Sequence, residues 1–162
     1  MDSVHRAKPR SVALAQWLCR VWAYAWAAPY TAVGLLLGVL ALCCGSRVQI
    51  CEGVLEFGGG WLGKRVSRLR PPFAFVAITL GHVILAVDAK TLVTARAHEQ
   101  VHVRQYERWG PLFVPAYLLS SLVQLLRGRH PYLDNHFERE AYAFTGTRKQ
   151  IAEPPRISEP RA

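Results

Sequence analysis

The residues best suited to chemistry lie in the pentapeptide His98-Glu99-Gln100-Val101-His102. On a helix, residues four positions apart differ by about 40° around the axis and by one turn along it, so both imidazoles project from one face. Imidazole nitrogen binds zinc well, and a carboxylate beside the first histidine can take the proton of a zinc-activated water. The motif therefore predicts His98 and His102 as Zn²⁺ ligands and Glu99 as the catalytic general base. The alternative is a surface helix on which these side chains align by chance.

A third protein ligand is needed, because catalytic zinc sites hold the ion with three side chains and a water. The metzincin pattern would place glycine and histidine where Gln105 and Arg108 stand, which excludes that class. Other candidates lie downstream, and the residues alone leave the choice open between them: Asp134, Glu138, Glu140 and His136.

Two segments, HEQVHVRQ and DNHFEREAYA, resemble small membrane-associated bacterial proteins of the gluzincin-like HExxH type, and more distantly the CAAX-processing peptidases. In gluzincins the glutamate of an ExxA helix is the third zinc ligand, and that helix packs antiparallel to the motif helix. The resemblance implies this role for Glu138. Tyr142 replaces the acid that often follows ExxA, so a carboxylate that would support one histidine is missing. The alternative for Glu138 is helix capping, because Asn135 three residues earlier fits an N-cap.

The elements that would position these residues follow from cap and turn signals. Asp88 is a good N-cap and Gly110-Pro111 a good stop, so the HExxH helix is predicted at 89–109. Around it we predict β-hairpins within 47–87, an apolar helix at 111–126 and a third-ligand helix at 136–145. The hairpins turn at Glu52-Gly53 and at Gly81-His82, where glycine comes first as in a type II′ turn. His82 and His130 are interpreted as turn and loop residues.

The stretch from Val21 to Cys44 contains no charged side chain and is long enough to cross a bilayer as a helix. Trp and Tyr crowd its first half, as in an interfacial aromatic belt, and Pro29 is a candidate start of the span. We predict a membrane anchor at 21–45 after a basic segment at 1–20. A cleaved signal peptide and a buried core helix are the alternatives. Lys and Arg are more frequent before the span than directly after it, which predicts a cytoplasmic N-terminus and a domain on the non-cytoplasmic side.

The apolar segment 111–126 must not cross the bilayer if the ligand assignment is right. Glu138 would otherwise emerge on the side opposite the histidines. The segment is also shorter than a full span. It is therefore expected to be a buried, a re-entrant or an interfacial helix.

The composition limits the kind of binding partner and the role of the cysteines. The formal net charge is +9, with 20 Lys and Arg against 11 Asp and Glu, which favours an anionic partner such as a lipid headgroup. Lys64, Arg65, Arg68 and Arg70 interleave with apolar residues and fit either a headgroup-bound segment or a solvated loop. The four cysteines lack zinc-site spacing and are interpreted as buried or lipid-facing thiols.

The predicted fold class is α+β, with an N-terminal transmembrane helix, short β-hairpins and zincin-like helices within residues 46–146, followed by a flexible tail at 147–162. The expected function is a membrane-anchored zinc metallopeptidase-like protein whose partners are membrane lipids and a peptide or protein substrate. A non-catalytic, zinc-stapled membrane protein is the main alternative. A basic adaptor without metal ranks last, because no nucleic-acid-binding motif is recognised and no nucleic acid is expected as a partner.

Overall fold

The computed structural model describes residues 10–68 and 76–146. The predictions for 1–9 and for the tail at 147–162 lie outside the described residues. The predicted α+β class is confirmed, with an apolar helix at the N-terminal end. The elements are α1 (Arg10–Cys43), β1 (Arg47–Cys51), β2 (Val54–Gly58), α2 (Gly60–Val66), β3 (Ala77–Leu80), β4 (Val83–Ala86), α3 (Ala89–Trp109), a 3₁₀ turn (Gly110–Leu112), α4 (Phe113–Leu126) and α5 (His136–Thr145).

Both predicted hairpins form, and together they make one four-stranded sheet of order β1-β2-β4-β3. Glu52 and Gly53 have φ values of 50° and 82°, the positive values that a type I′ hairpin turn requires at both central positions. Gly81 has a φ of 61° and begins the second turn, as expected for type II′. The hairpins join through a parallel pairing of β2 with β4, with Glu56 opposite Ile84.

Each face of the sheet is covered by one long helix. On one face, Val54 and Ile84 pack with Leu92 and Val103 of α3. On the other, α1 approaches so closely that a Cβ on Gly34 would lie 2.7 Å from Val83. The sheet thus lies between α1 and the helix that carries the HExxH motif.

The helix α1 begins earlier than the predicted anchor and runs through Pro29 without a break. The interpretation of Pro29 as the start of the span is therefore wrong, and the residues before it continue the same helix. Its buried positions among the described side chains are small, namely Ala27, Gly34, Gly38 and Ala41, which lets the helix lie directly on the sheet. Most of its large apolar side chains point away from the protein, as does that of Leu36, which is 72% exposed.

Two helical stretches, Gln16–Cys43 and Ala89–Leu126, are long and apolar enough to cross a membrane. In the most apolar part of each, only 22% and 11% of the residues are buried, which argues against the alternative of a core helix. The 111–126 segment is likewise no buried helix, because Phe113 is the only residue of α4 that is buried.

The remaining segments modify two interpretations. The basic stretch after β2 forms the short helix α2, with Lys64 and Arg65 in its last turn, instead of a plain loop. All four cysteines are free, and Cys19 and Cys43 are exposed on α1. The buried alternative is thus wrong for these two thiols.

A buried ion pair fixes the motif helix to the sheet. Glu56 of β2 is fully buried, and Arg96 of α3 binds it through two nitrogens, each 2.9 Å from a carboxylate oxygen. Gln49 donates a further hydrogen bond of 2.7 Å to the same carboxylate. Because Arg96 lies two residues before His98, this pair sets the position of the motif on the sheet.

We expect Arg96→Met to lower the free energy of unfolding by about 3 kcal/mol, because the Glu56 carboxylate would stay buried without its cation. Lys90→Met, at an exposed position of the same helix, is the control and is expected to change stability little. The double variant Glu56→Leu, Arg96→Met should regain much of the loss, since it removes both charges. Urea unfolding in detergent, followed by circular dichroism, measures all of these. A loss for Arg96→Met no larger than for Lys90→Met would contradict the assignment.

Candidate metal centre

The two motif histidines face each other on α3, and a carboxylate from α5 joins them. His98 Nε2 and His102 Nε2 lie 3.1 Å apart. Glu138 places Oε2 3.2 Å from His98 Nε2 and Oε1 3.4 Å from His102 Nε2. Glu138 and His102 are 3% and 8% exposed, so the group is largely shielded from water. The structure therefore brings together the two histidines that the motif predicted as ligands and the glutamate that the resemblance implied.

This group could hold a metal ion. Two ligands about 2.0–2.1 Å from a tetrahedral zinc ion lie about 3.3 Å from each other. The two imidazole nitrogens, 3.1 Å apart, are close to that spacing, and each faces a different oxygen of Glu138, at 3.2 and 3.4 Å. Glu138 Oε2 is also buried without a hydrogen bond from the described part of the chain. A cation between the three side chains would satisfy this oxygen.

The electrostatics of the group favour bound positive charge. Burial raises the pKa of Glu138, but the adjacent His102 and His98 lower it more, to about 2. Burial lowers the pKa of His102, but Glu138 more than offsets this, so its pKa lies above the usual value. The carboxylate is thus ionised, and either protons or a metal cation must balance it.

Gln105 fixes the protonation of His102. Its amide nitrogen donates to the Phe137 carbonyl at 3.0 Å and to Glu140 Oε2 at 2.8 Å, which turns its oxygen towards His102 Nδ1 at 2.8 Å. Because an amide oxygen only accepts, Nδ1 must carry the proton. In the neutral imidazole, His102 Nε2 therefore presents its lone pair to the site, the form that binds a metal.

The competing candidates for the third ligand lie elsewhere. Glu140 accepts hydrogen bonds from Gln105 and Arg108, and His136 is exposed. The alternative role of Glu138, capping of helix α5, is not needed. Asn135 caps α5 through its own side chain, and the Asn135 N–H binds the Tyr132 carbonyl, so the N-cap amide does not need the glutamate.

Two tyrosines contact the group, one through a hydrogen bond and the other through ring packing. Tyr117 of α4 donates to Glu138 Oε1 at 2.8 Å. The ring of Tyr142 packs 4.6 Å from that of His98, where the resemblance placed a carboxylate. His98 Nδ1 is buried without a partner among the described residues. His98 thus has no polar partner at Nδ1 within the described part of the chain, whereas His102 has Gln105.

Glu99 points towards the edge of the sheet. It is buried, and Thr79 of β3 donates a hydrogen bond of 2.6 Å to its Oε2. This leaves Oε1 for another donor and fixes the direction of the carboxylate. Sequence reasoning missed Thr79, Gln105 and Tyr117, because only tertiary packing brings them to the motif.

The other histidines lie outside the group. His82 is buried after its turn, with Nε2 3.1 Å from Glu107 and its ring stacked on Tyr24 at 3.9 Å. His130 accepts backbone hydrogen bonds from Tyr132 and Leu133, as a loop residue does.

Comparison with protein-family models, curated proteins and solved structures finds no match for this chain.

We expect Gln105→Leu to weaken metal affinity by about 10- to 100-fold, the effect of removing a group that orients a histidine ligand. Gln100→Leu is the matched control, since Gln100 lies on the same helix and its amide nitrogen has no partner in the described structure. Competition of purified protein with a chromogenic zinc chelator measures both affinities. Equal affinities for the two variants would show that Gln105 does not support the site.

Proposed function

We propose that this protein is a membrane-associated zinc metallopeptidase, with His98, His102 and Glu138 as ligands and Glu99 as general base. The observation that carries the proposal is the convergence of two imidazoles and one buried carboxylate that could hold a metal ion. A second carboxylate, Glu99, lies on the same helix directly after His98. A set of two histidines and one glutamate is typical of catalytic zinc sites, which keep a position for water. The neighbouring HExxH glutamate supports hydrolysis over other metal chemistry.

Zinc, when bound, lowers the pKa of a coordinated water towards neutrality and polarises a carbonyl group. Glu99 takes the proton from the attacking water through the oxygen that Thr79 leaves free. It then returns the proton to the departing amine nitrogen. Gln105 keeps His102 in the ligating form throughout. The orientation of these groups is set by packing before substrate arrives, which is what lowers the barrier.

The substrate backbone has a place to bind on the sheet. Within the described residues, β3 lies at the edge of the sheet, because its partner there is β4. Thr79 of that strand touches Glu99. An extended peptide added along β3 would therefore pass beside the general base, a common mode of peptide recognition.

Membrane association is proposed through α1, whose outward apolar face suits lipid as the partner. The orientation predicted from the Lys and Arg bias stays a prediction. So does the absence of nucleic-acid binding.

A second candidate function is a zinc-stapled membrane protein without activity. The burial of the ligands favours it, since structural sites are closed. An apolar cavity of about 210 Å³ lies elsewhere, on the α1 face of the sheet, between residues such as Leu37, Phe57 and Leu85.

We expect Glu99→Gln to retain zinc and to lower hydrolysis by about 10²- to 10⁴-fold, because the proton acceptor is lost while the ligands remain. Glu107→Gln, on the same helix but bonded to His82, should keep most of the activity. Zinc-loaded protein in proteoliposomes is assayed against a library of internally quenched peptides. Full zinc occupancy with no turnover by the wild type would instead favour the stapled protein.

We expect His102→Ala to abolish stoichiometric zinc, because a ligand and the partner of Gln105 are both removed. His136→Ala, at an exposed histidine of α5, should leave the zinc content unchanged. Elemental analysis of protein purified without chelator gives the metal-to-protein ratio. A wild type free of transition metal after incubation with zinc would exclude both candidate functions.

A further inference from the structure

The polarity of α4 is inverted relative to a helix on the surface of a soluble protein. Its polar side chains face the protein, whereas its leucines face outwards. On the inner side, Asn135 donates to Ser121 at 2.7 Å, the His136 N–H donates to Ser120 at 3.0 Å, and Tyr117 donates to Glu138. A surface helix in water would bury its leucines and expose its polar residues.

The outward face is large and uninterrupted by charge. Its side chains are half exposed or more, and no residue between Phe113 and Leu126 is charged. The members of this leucine face are Leu112, Leu118, Leu119, Leu122, Leu125 and Leu126, with exposures of 59%, 61%, 62%, 50%, 58% and 78%. Contiguous apolar surface of this kind marks a site of contact with another apolar phase.

The ends of α4 carry residues that suit a lipid headgroup region. Arg127 and Arg129 follow its last turn, and long cationic side chains there can reach from an apolar region to headgroups. Trp109 before the helix and Tyr132 after it are 38% and 44% exposed. Aromatic and cationic residues around an apolar stretch are typical of a membrane boundary.

The leucine face lies close to the candidate membrane helix α1. Gly110 lies so near the Trp26 indole that a Cβ there would overlap the ring, and the Tyr30 hydroxyl donates to the Pro111 carbonyl at 3.4 Å. Ala27 packs in one cluster with Phe113. The start of α4 is thus fixed to the middle of α1, so one bilayer can contact both helices.

The length of α4 determines whether this helix could span the bilayer or only insert into one leaflet. Its 14 residues extend about 21 Å, less than the roughly 30 Å of a hydrocarbon core. The flanking helices α3 and α5 also meet at the histidine–glutamate group, so both must lie on one side of the membrane. α4 by itself is therefore too short to span the bilayer, and insertion into a single leaflet is the arrangement that keeps α3 and α5 on one side.

We propose that the leucine face of α4 inserts into one lipid leaflet, as a second membrane contact besides α1. The candidate metal centre then lies at the membrane surface, because Tyr117 on the inner side of the same helix bonds Glu138. The inference rests on exposure and polarity and not on hydrolysis. It limits access to the site to peptide segments at the membrane surface.

The test places a fluorescent probe at Leu122 of the full-length chain. Cys19, Cys43, Cys44 and Cys51 are replaced by serine, and Leu122→Cys is labelled with the environment-sensitive fluorophore NBD in vesicles of phosphatidylcholine and phosphatidylglycerol. We expect a blue-shifted emission, loss of most of it with lipids that carry a nitroxide on the acyl chain, and little quenching by aqueous iodide. Arg139→Cys, exposed on α5, is the matched control and should respond to iodide and not to the lipid quencher.

Two outcomes would overturn the proposal. Quenching of the Leu122 probe by iodide alone would show that the face is in water. Shielding from both quenchers, with disulfide cross-linking between two unlabelled chains of the Leu122→Cys variant, would show that a second copy covers it. Leu118→Cys, one turn earlier, guards against local misfolding and should give the same result as Leu122→Cys. None of these fluorescence and cross-linking measurements needs zinc or turnover. The membrane proposal can therefore fail while the proposed function stands.

Discussion

The structure depends on one electrostatic constraint, the burial of the Glu138 carboxylate against the imidazoles of His98 and His102. A buried anion is costly unless a cation or hydrogen-bond donors compensate it. Here Tyr117 supplies one donor, and the two imidazoles face the carboxylate from the other helix. The same requirement brings α5 against α3. The chain must therefore return to α3 after the end of α4. A cation at this point would therefore stabilise the packing of three helices as well as any chemistry.

The sheet provides the rigid support for this group. Glu56 and Arg96 join its centre to the first half of α3, and Thr79 joins its edge to Glu99. These two contacts fix both the position and the rotation of the motif helix. Gln105 continues the support on the other side, towards α5. The ligands therefore lie on regular elements held by hydrogen bonds, which is the arrangement that gives a preorganised site.

The apolar helices show how one protein separates two kinds of surface. α1 turns small residues towards the sheet, and α4 turns hydroxyl and amide groups towards α5. In both helices most of the larger apolar side chains are directed outwards. This distribution is unfavourable in water and favourable in lipid. It supports the proposed membrane contact of both helices, which would bring the candidate centre close to the membrane surface.

The sequence by itself determined the local features. Asp88, Gly110 and Asn135 terminate helices through contacts within one turn, and Glu52-Gly53 and Gly81 form turns through their own backbone angles, so the helix and hairpin positions could be predicted. The HExxH spacing likewise placed His98 next to His102. The parallel pairing of β2 with β4, the contacts of Gln105 and Thr79, and the position of Glu138 instead of Glu140 at the histidines were decided by the tertiary structure alone. Those features join residues far apart in the chain, and only the packing of the helices on the sheet brings such residues into contact.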